Sequence, residues 1–179
     1  MLLNSLARSV GKATASLTFR QITNANICVQ GLPVASITVS GDVTNSRIVT
    51  TGSIKKMSVA TLLDSDILVG VAADCAEHFA TAEDFVDTSA KLESLKVSGR
   101  KLPSKTPHPA YVTGSHISAP TVGTITLLNV PATSDPLLHV LNDAGTLTVT
   151  QSKLTSETMF APGTWKKPGQ RPSIWQTLL

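Results

Sequence analysis

The sequence predicts an all-β chain built as a β-solenoid, a stack of about six strand coils interrupted by two inserted loops. Three observations lead there. Residues 34–52, VASITVSGDVTNSRIVTTG, and 53–70, SIKKMSVATLLDSDILVG, are one pattern written twice: Val34, Ile37, Val39, Val43, Ser46 and Ile48 fall opposite Ile54, Met57, Val59, Leu62, Ser65 and Ile67. From Ile37 to Met57 is 20 residues, and a period near 20 marks a solenoid, in which one repeat cannot bury its apolar face alone. Composition agrees. Hydrophobic residues are 41% but aromatics only 4%, so the apolar content is Val, Ile, Leu and Ala among much Ser and Thr, which suits a pleated, half-buried surface.

Residues 1–16 hold Arg8 and Lys12 and no acid; the apolar run is too short and broken for a secretory segment. They are read as an N-terminal cap or leader, the cap being preferred, or as the start of a piece of a longer chain. The repeats span 17–162. Leu17, Phe19, Ile22, Ala25 and Ile27 are separated by 2, 3, 3 and 2 residues, as are Met57, Val59, Leu62, Ser65 and Ile67. A gap of two puts two side chains on one face of a strand. The small residue in fourth place, Ala25, Ser46 or Ser65, suits a tight inward corner. The Ile37 coil has one extra residue, and Gly41 marks where a bulge takes it up.

The first insertion is 71–90. It carries Asp74, Glu77, Glu83, Asp84 and Asp87 without Lys or Arg, among Ala72, Ala73, Ala76, Ala80 and Ala82. Alanine predicts a short helix, and a solvated helix or loop packed on the side of the stack is preferred to a cation-binding loop. The repeat resumes at Leu92, Leu95 and Val97. The second insertion, 99–111, has three prolines with Arg100, Lys101 and Lys105 and reads as an exposed, partly extended loop. After it the missing half-coil appears as VTGSHI, matching VTNSRI and LLDSDI. Val122, Ile125, Leu127 and Val130 start the next coil, with Leu138 in the place of Ile48. Ala144, Leu147 and Val149 start the last, closing with Leu154 and Met159, and Met159-Phe160-Ala161-Pro162 echoes Ile117-Ser118-Ala119-Pro120. Residues 163–179 lose the pattern, and Trp165 and Trp175 are expected to cap that end.

If each strand pairs in parallel with its equivalent one coil on, two interior columns form: Leu17, Ile37, Met57, Leu95, Ile125, Leu147, and beside it Phe19, Val39, Val59, Val97, Leu127, Val149. Thr38, Ser40, Ser58, Lys96, Ser98, Thr126 and Thr148 then point outward. The rival fold is a jelly-roll β-sandwich, which predicts no register between repeats.

Net charge is +3 with 15% charged residues and scattered Lys and Arg, so a nucleic-acid partner is not expected, since such binders concentrate basic residues among stacking aromatics. No run of about 18 apolar residues indicates a membrane span. Cys28 and Cys75 lack a CxxC partner and read as buried or half-buried free thiols in preference to a disulfide. His78, His108, His116 and His139 have no metal-ligand spacing, and no phosphate-binding glycine motif occurs; neither a metal nor a cofactor is expected.

The coils SIKKMSVATLLDSDILVG and SHISAPTVGTITLLNV resemble the right-handed parallel β-helix repeats of very large secreted or surface proteins of bacteria such as planctomycetes. The resemblance covers about residues 17–162 and rests on spaced aliphatics with Gly, Ser and a terminal Ala-Pro. It implies a right-handed parallel β-helix, an extracellular or cell-surface setting, and a structural or adhesive role with a glycan or protein partner.

Polysaccharide lyases and hydrolases also use β-helices, with carboxylates on one outer face. The catalytic candidates here are Asp64 and Asp66 with Arg47 as cationic partner, and Asp42 nearby. Asp64 falls at the place of Asn45 and Asp66 at that of Arg47. The preferred reading is a cross-strand surface ion pair between Asp66 and Arg47, hence no catalytic residues. The leading function is therefore a non-enzymatic structural or adhesive module; the alternatives are a carbohydrate-active enzyme and a viral coat or shell protein.

Overall fold

A computed structural model describes residues 14–178 except 76, 133–136, 143, 154, 156, 157 and 168. Most of the expected N-terminal cap, with Ala76, Leu154 and part of the TSDPLL stretch, lies outside the described residues. The chain is all-β and its sheets are largely parallel. The strands are β1 (Ala15–Phe19), β2 (Ile22–Thr23), β3 (Asn26–Val29), β4 (Val34–Thr44), β5 (Arg47–Thr50), β6 (Ile54–Leu63), β7 (Asp66–Val69), β8 (Lys91–Val97), β9 (Val112–Thr113), β10 (His116–Ala119), β11 (Thr121–Leu128), β12 (Leu138–Val140), β13 (Thr146–Thr150), β14 (Gly163–Trp165) and β15 (Trp175–Thr177). One sheet runs β1-β4-β6-β8-β11-β13-β14, with β2 on β4 and β9 on β6; the other runs β15-β12-β10-β7-β5-β3. Among these pairs only β13–β14 is antiparallel, which is not the strand pairing of a jelly roll.

The register is the one that the repeat demands. Leu17 pairs with Ile37, Ile37 with Met57, Met57 with Leu95, Leu95 with Ile125 and Ile125 with Leu147. In the second sheet Ile27, Ile48, Ile67, Ile117, Leu138 and Trp175 follow one another. Both columns enter one core cluster, so the apolar faces of the two sheets are buried together. Fully burying one such side chain stabilises by about 1.5–3 kcal/mol. Thr38, Ser40, Lys96 and Ser98 are exposed and Ser58, Thr126 and Thr148 half-buried, the outward face of the first sheet. Between Val39 and Asp42 the β4–β6 register shifts by a residue. Gly41 lies there, and a Cβ on it would stand 2.6 Å from the Arg20 carbonyl oxygen, closer than any side chain allows.

The corners have a regular chemistry. The Ser46 hydroxyl donates to the Thr44 carbonyl and accepts from the Ala25 N–H; Ser65 does the same with Leu63 and the Ser46 N–H, and Ser115 with Thr113 and the Ser65 N–H. The residue before each serine, Asn45, Asp64 or Gly114, has positive φ, as has Asn24 before Ala25. Asn, Asp and Gly are the residues that reach this left-handed region at least cost.

Four expectations need correction. Among the described residues of 71–90 the only helical element is a three-residue 3-10 turn, Ala82–Asp84. The segment instead covers the outer face of the second sheet, where Val71, Ala80 and Phe85 close over Val49 and Leu68; that buried contact, not alanine propensity, sets its shape. Residues 101–109 are exposed or half-exposed, but Ala110 and Tyr111 are buried. Met159 does not follow Ile117 in register, because Leu138 and Trp175 hold those places and Met159 bridges Pro131. Ala144 is exposed. Residues 163–179 add one strand to each sheet at that end, with Arg171 4.0 Å over the Trp175 ring.

Candidate functional site

The first residues of the strands in the second sheet form an outward polar column, in which Asn26 pairs with Arg47, Arg47 with Asp66 and Asp66 with His116. Their side chains alternate with the buried Ile column and so point away from the core. The insertion 71–90 lies beside this column and brings His78 and Phe79 to it. Asp66 is 6% exposed. Its Oδ2 is 3.1 Å from His78 Nδ1 and its Oδ1 3.3 Å from His116 Nδ1. A carboxylate only accepts, so each Nδ1 carries the hydrogen. Phe79 stacks on His139 at 4.7 Å between ring centroids and tilts against His116 at 5.7 Å.

The expected surface ion pair is therefore not the arrangement found. Arg47 and Asp66 are neighbours in the ladder, but Asp66 is buried and turned to the two imidazoles. The guanidinium is held by the inserted segment, its Nη1 donating to the Cys75 carbonyl at 2.5 Å, while Nε and Nη2 are shielded from solvent and have no partner. A surface cavity of about 500 Å³ opens here, lined among others by Asn24, Asn26, Asn45, Arg47, Asp66 and His78. Asp66 is the one carboxylate among its described lining residues. Asp64 is exposed at the corner and is not among them. Its resemblance in position to Asn45 reflects the shared left-handed turn.

Asp42 is held elsewhere. The Nε and Nη2 of Arg100 bind its two carboxylate oxygens, and the Thr61 hydroxyl donates to Oδ1 at 2.7 Å. This fork fastens the start of the second insertion to β4, over a groove of about 530 Å³ floored by Thr38, Ser40 and Ser58. The same insertion is tied inward by Tyr111, whose hydroxyl lies 2.6 Å from His108 Nδ1. Burial pushes the Tyr111 phenol above its ordinary 10.0, against the opposing influence of Arg100.

Chemically, Asp66 orienting His78 or His116 is half of a general-base arrangement. Ser46, which lines the cavity, is buried with its hydroxyl engaged by Thr44 and Ala25, and Ser118 is wholly buried and accepts from the Ala80 N–H at 3.0 Å, so neither is presented to a substrate. Among the described residues no three His, Cys, Asp or Glu side chains form a group able to hold a metal ion. Cys28 and Cys75 are half-buried and unbridged. No helix of the described residues is long and apolar enough to cross a membrane. Sequence reasoning treated the histidines as scattered; the ladder pairing His116 with Asp66, together with the fold of 71–90, gathers three of them. Comparison with protein-family models, with curated proteins and with solved structures finds no match for this chain.

Proposed function

We propose that this chain is a right-handed parallel β-helix serving as a non-enzymatic structural or adhesive module at the cell surface or outside the cell. The observation that carries the reading is the unbroken column from Leu17 to Leu147, six residues in register with one core. Chains that repeat in this way offer long, regular outer faces rather than a single catalytic cleft. The right hand rests on the strong handedness of strand–crossover–strand connections between parallel strands. The carboxylates support the non-enzymatic reading: Asp42 is bound by Arg100, Asp66 by two histidines, and Asp64 serves a corner. Glycoside chemistry needs two carboxylates across one groove.

A carbohydrate-active enzyme remains the second reading, favoured by the imidazole that Asp66 orients beside a cavity of sugar size. The test is incubation of the purified protein with acidic and neutral polysaccharides, assaying retention on the polymer and release of new chain ends. Retention without release is expected. Release of unsaturated or reducing ends that disappears when Asp64 and Asp66 are both changed to Asn would overturn the structural reading.

A further inference from the structure

We propose that the cavity at the start of the second sheet is a binding site for a carboxylate-bearing sugar, a uronate unit of an acidic polysaccharide, with Arg47 as the carboxylate receptor. This rests on the adhesive reading above and names its ligand class. Nη1 of Arg47 is taken by the Cys75 carbonyl, which leaves Nε and Nη2, side by side, without a partner. These two N–H groups form the fork that matches the two oxygens of a carboxylate. The protein contains its own example: Arg100 holds Asp42 through the same two nitrogens. An orphaned buried donor is costly, more so when charged, and the fork is retained at Arg47 with no internal carboxylate on it. Asp66, the neighbour in the ladder, is turned away, each oxygen engaged by an imidazole.

The rest of the wall suits a sugar better than a bare anion. Asn24, Asn26 and Asn45 line the same cavity and supply carboxamides that both donate and accept, as ring hydroxyls require. About 500 Å³ lies within the range of small-ligand sites. His78 stands at the rim with its side chain 84% exposed and fastened to Asp66 through Nδ1; Nε and Nη2 of Arg47 are shielded from solvent, so a ligand engages them only where side chains of the wall move aside.

The experiment is calorimetric titration of the intact protein with trigalacturonate, its methyl ester and a sulfated neutral trisaccharide. Trigalacturonate is expected to bind more tightly than either comparison ligand. Arg47→Gln and Arg47→Lys are expected to weaken it roughly 10- to 100-fold, the loss of a charged fork, Lys included because it keeps the charge without the fork. Thermal melts of both variants report whether they fold. The wild-type comparison of acid with ester needs no variant. Equal binding of acid and ester, no binding of the acid at millimolar concentration, or full affinity in Arg47→Gln each overturns the uronate site. Preference for the sulfated sugar overturns the carboxylate assignment. A folded protein that still adheres to neutral glycans loses this site and keeps the adhesive role; one that releases chain ends loses the adhesive role itself.

Discussion

Replacing Ser65 with Ala tests the corner ladder directly. The Ser65 hydroxyl accepts from the Ser46 N–H at 3.0 Å and donates to the Leu63 carbonyl at 2.7 Å. Without it the Leu63 carbonyl keeps a donor, the Asn45 N–H at 3.0 Å. The Ser46 N–H does not keep an acceptor there, and Ser46 is buried, 5% exposed. The cost is therefore that of one orphaned buried donor, about 1–3 kcal/mol. For a domain of this size each kcal/mol lowers Tm by about 2–4 °C, so Tm falls by about 2–12 °C. Scanning calorimetry reads this against Ser58→Ala, a half-buried outward position expected to stay within about 0.5 kcal/mol of the parent. Hydrogen exchange at the Ser46 amide should quicken in the first variant alone. Equal Tm values for the two variants, with Ser46 exchange unchanged, would refute the claim that serine hydroxyls tie the corners together.

Val59→Asp puts a charge into a column between Val39 and Val97 and should cost several kcal/mol, whereas Ser58→Asp should be nearly silent; equal melting temperatures would show the assignment of faces to be wrong. At the left-handed corner, φ 47°, Asp64→Val should destabilise by about 1–2 kcal/mol while Asp64→Gly stays close to the parent, as denaturant midpoints would reveal; the opposite order would return Asp64 to the list of functional candidates. Tyr111 is the one tyrosine, so its phenol can be titrated by absorbance, and it should ionise above 10.0 because it is buried. Between the ordinary and raised values the folded state holds more protons than the unfolded one, so stability falls as pH rises through that window; titration at the ordinary value in the folded protein would contradict the burial.

The interior was legible because a parallel ladder writes itself into the chain as a fixed period. Ile37 over Met57 and the bulge at Gly41 follow from spacing alone, whereas Leu138 in the place of Ile48 does not, since it stands 8 residues after Val130 where Ile48 stands 5 after Val43. What spacing cannot carry is the route of an insertion. Alanine content pointed 71–90 toward a helix, yet the apolar outer residues Val49 and Leu68 needed a cover, and tertiary burial outweighed propensity. The sign was present: Arg47 to Val49 and Asp66 to Leu68 do not alternate as a solvated strand should. The ion pair between Arg47 and Asp66 was misjudged for the same reason. Register placed the two side by side, but the competing partners, His78 and the Cys75 carbonyl, come from the inserted segment. His108 and Tyr111 show a smaller version, since proline content predicts exposure to the last residue of the stretch while Tyr111 is buried.

The fork between Arg100 and Asp42 joins residues 58 positions apart in the chain and reaches from the segment after β8 to β4, passing over β6. Ala80 reaches Ser118 in a similar way from the other insertion. Pulled from its two ends, a stack tied only between neighbours would peel strand by strand, each release small and reversible. With these straps the middle of the protein is expected to resist as one block. In a single-molecule pulling trace the outer strands should yield in small steps, followed by one larger rupture, and cutting the Arg100 strap should break that last event into smaller ones. A segment that looks like decoration on a regular fold would then be what sets the load the fold can bear.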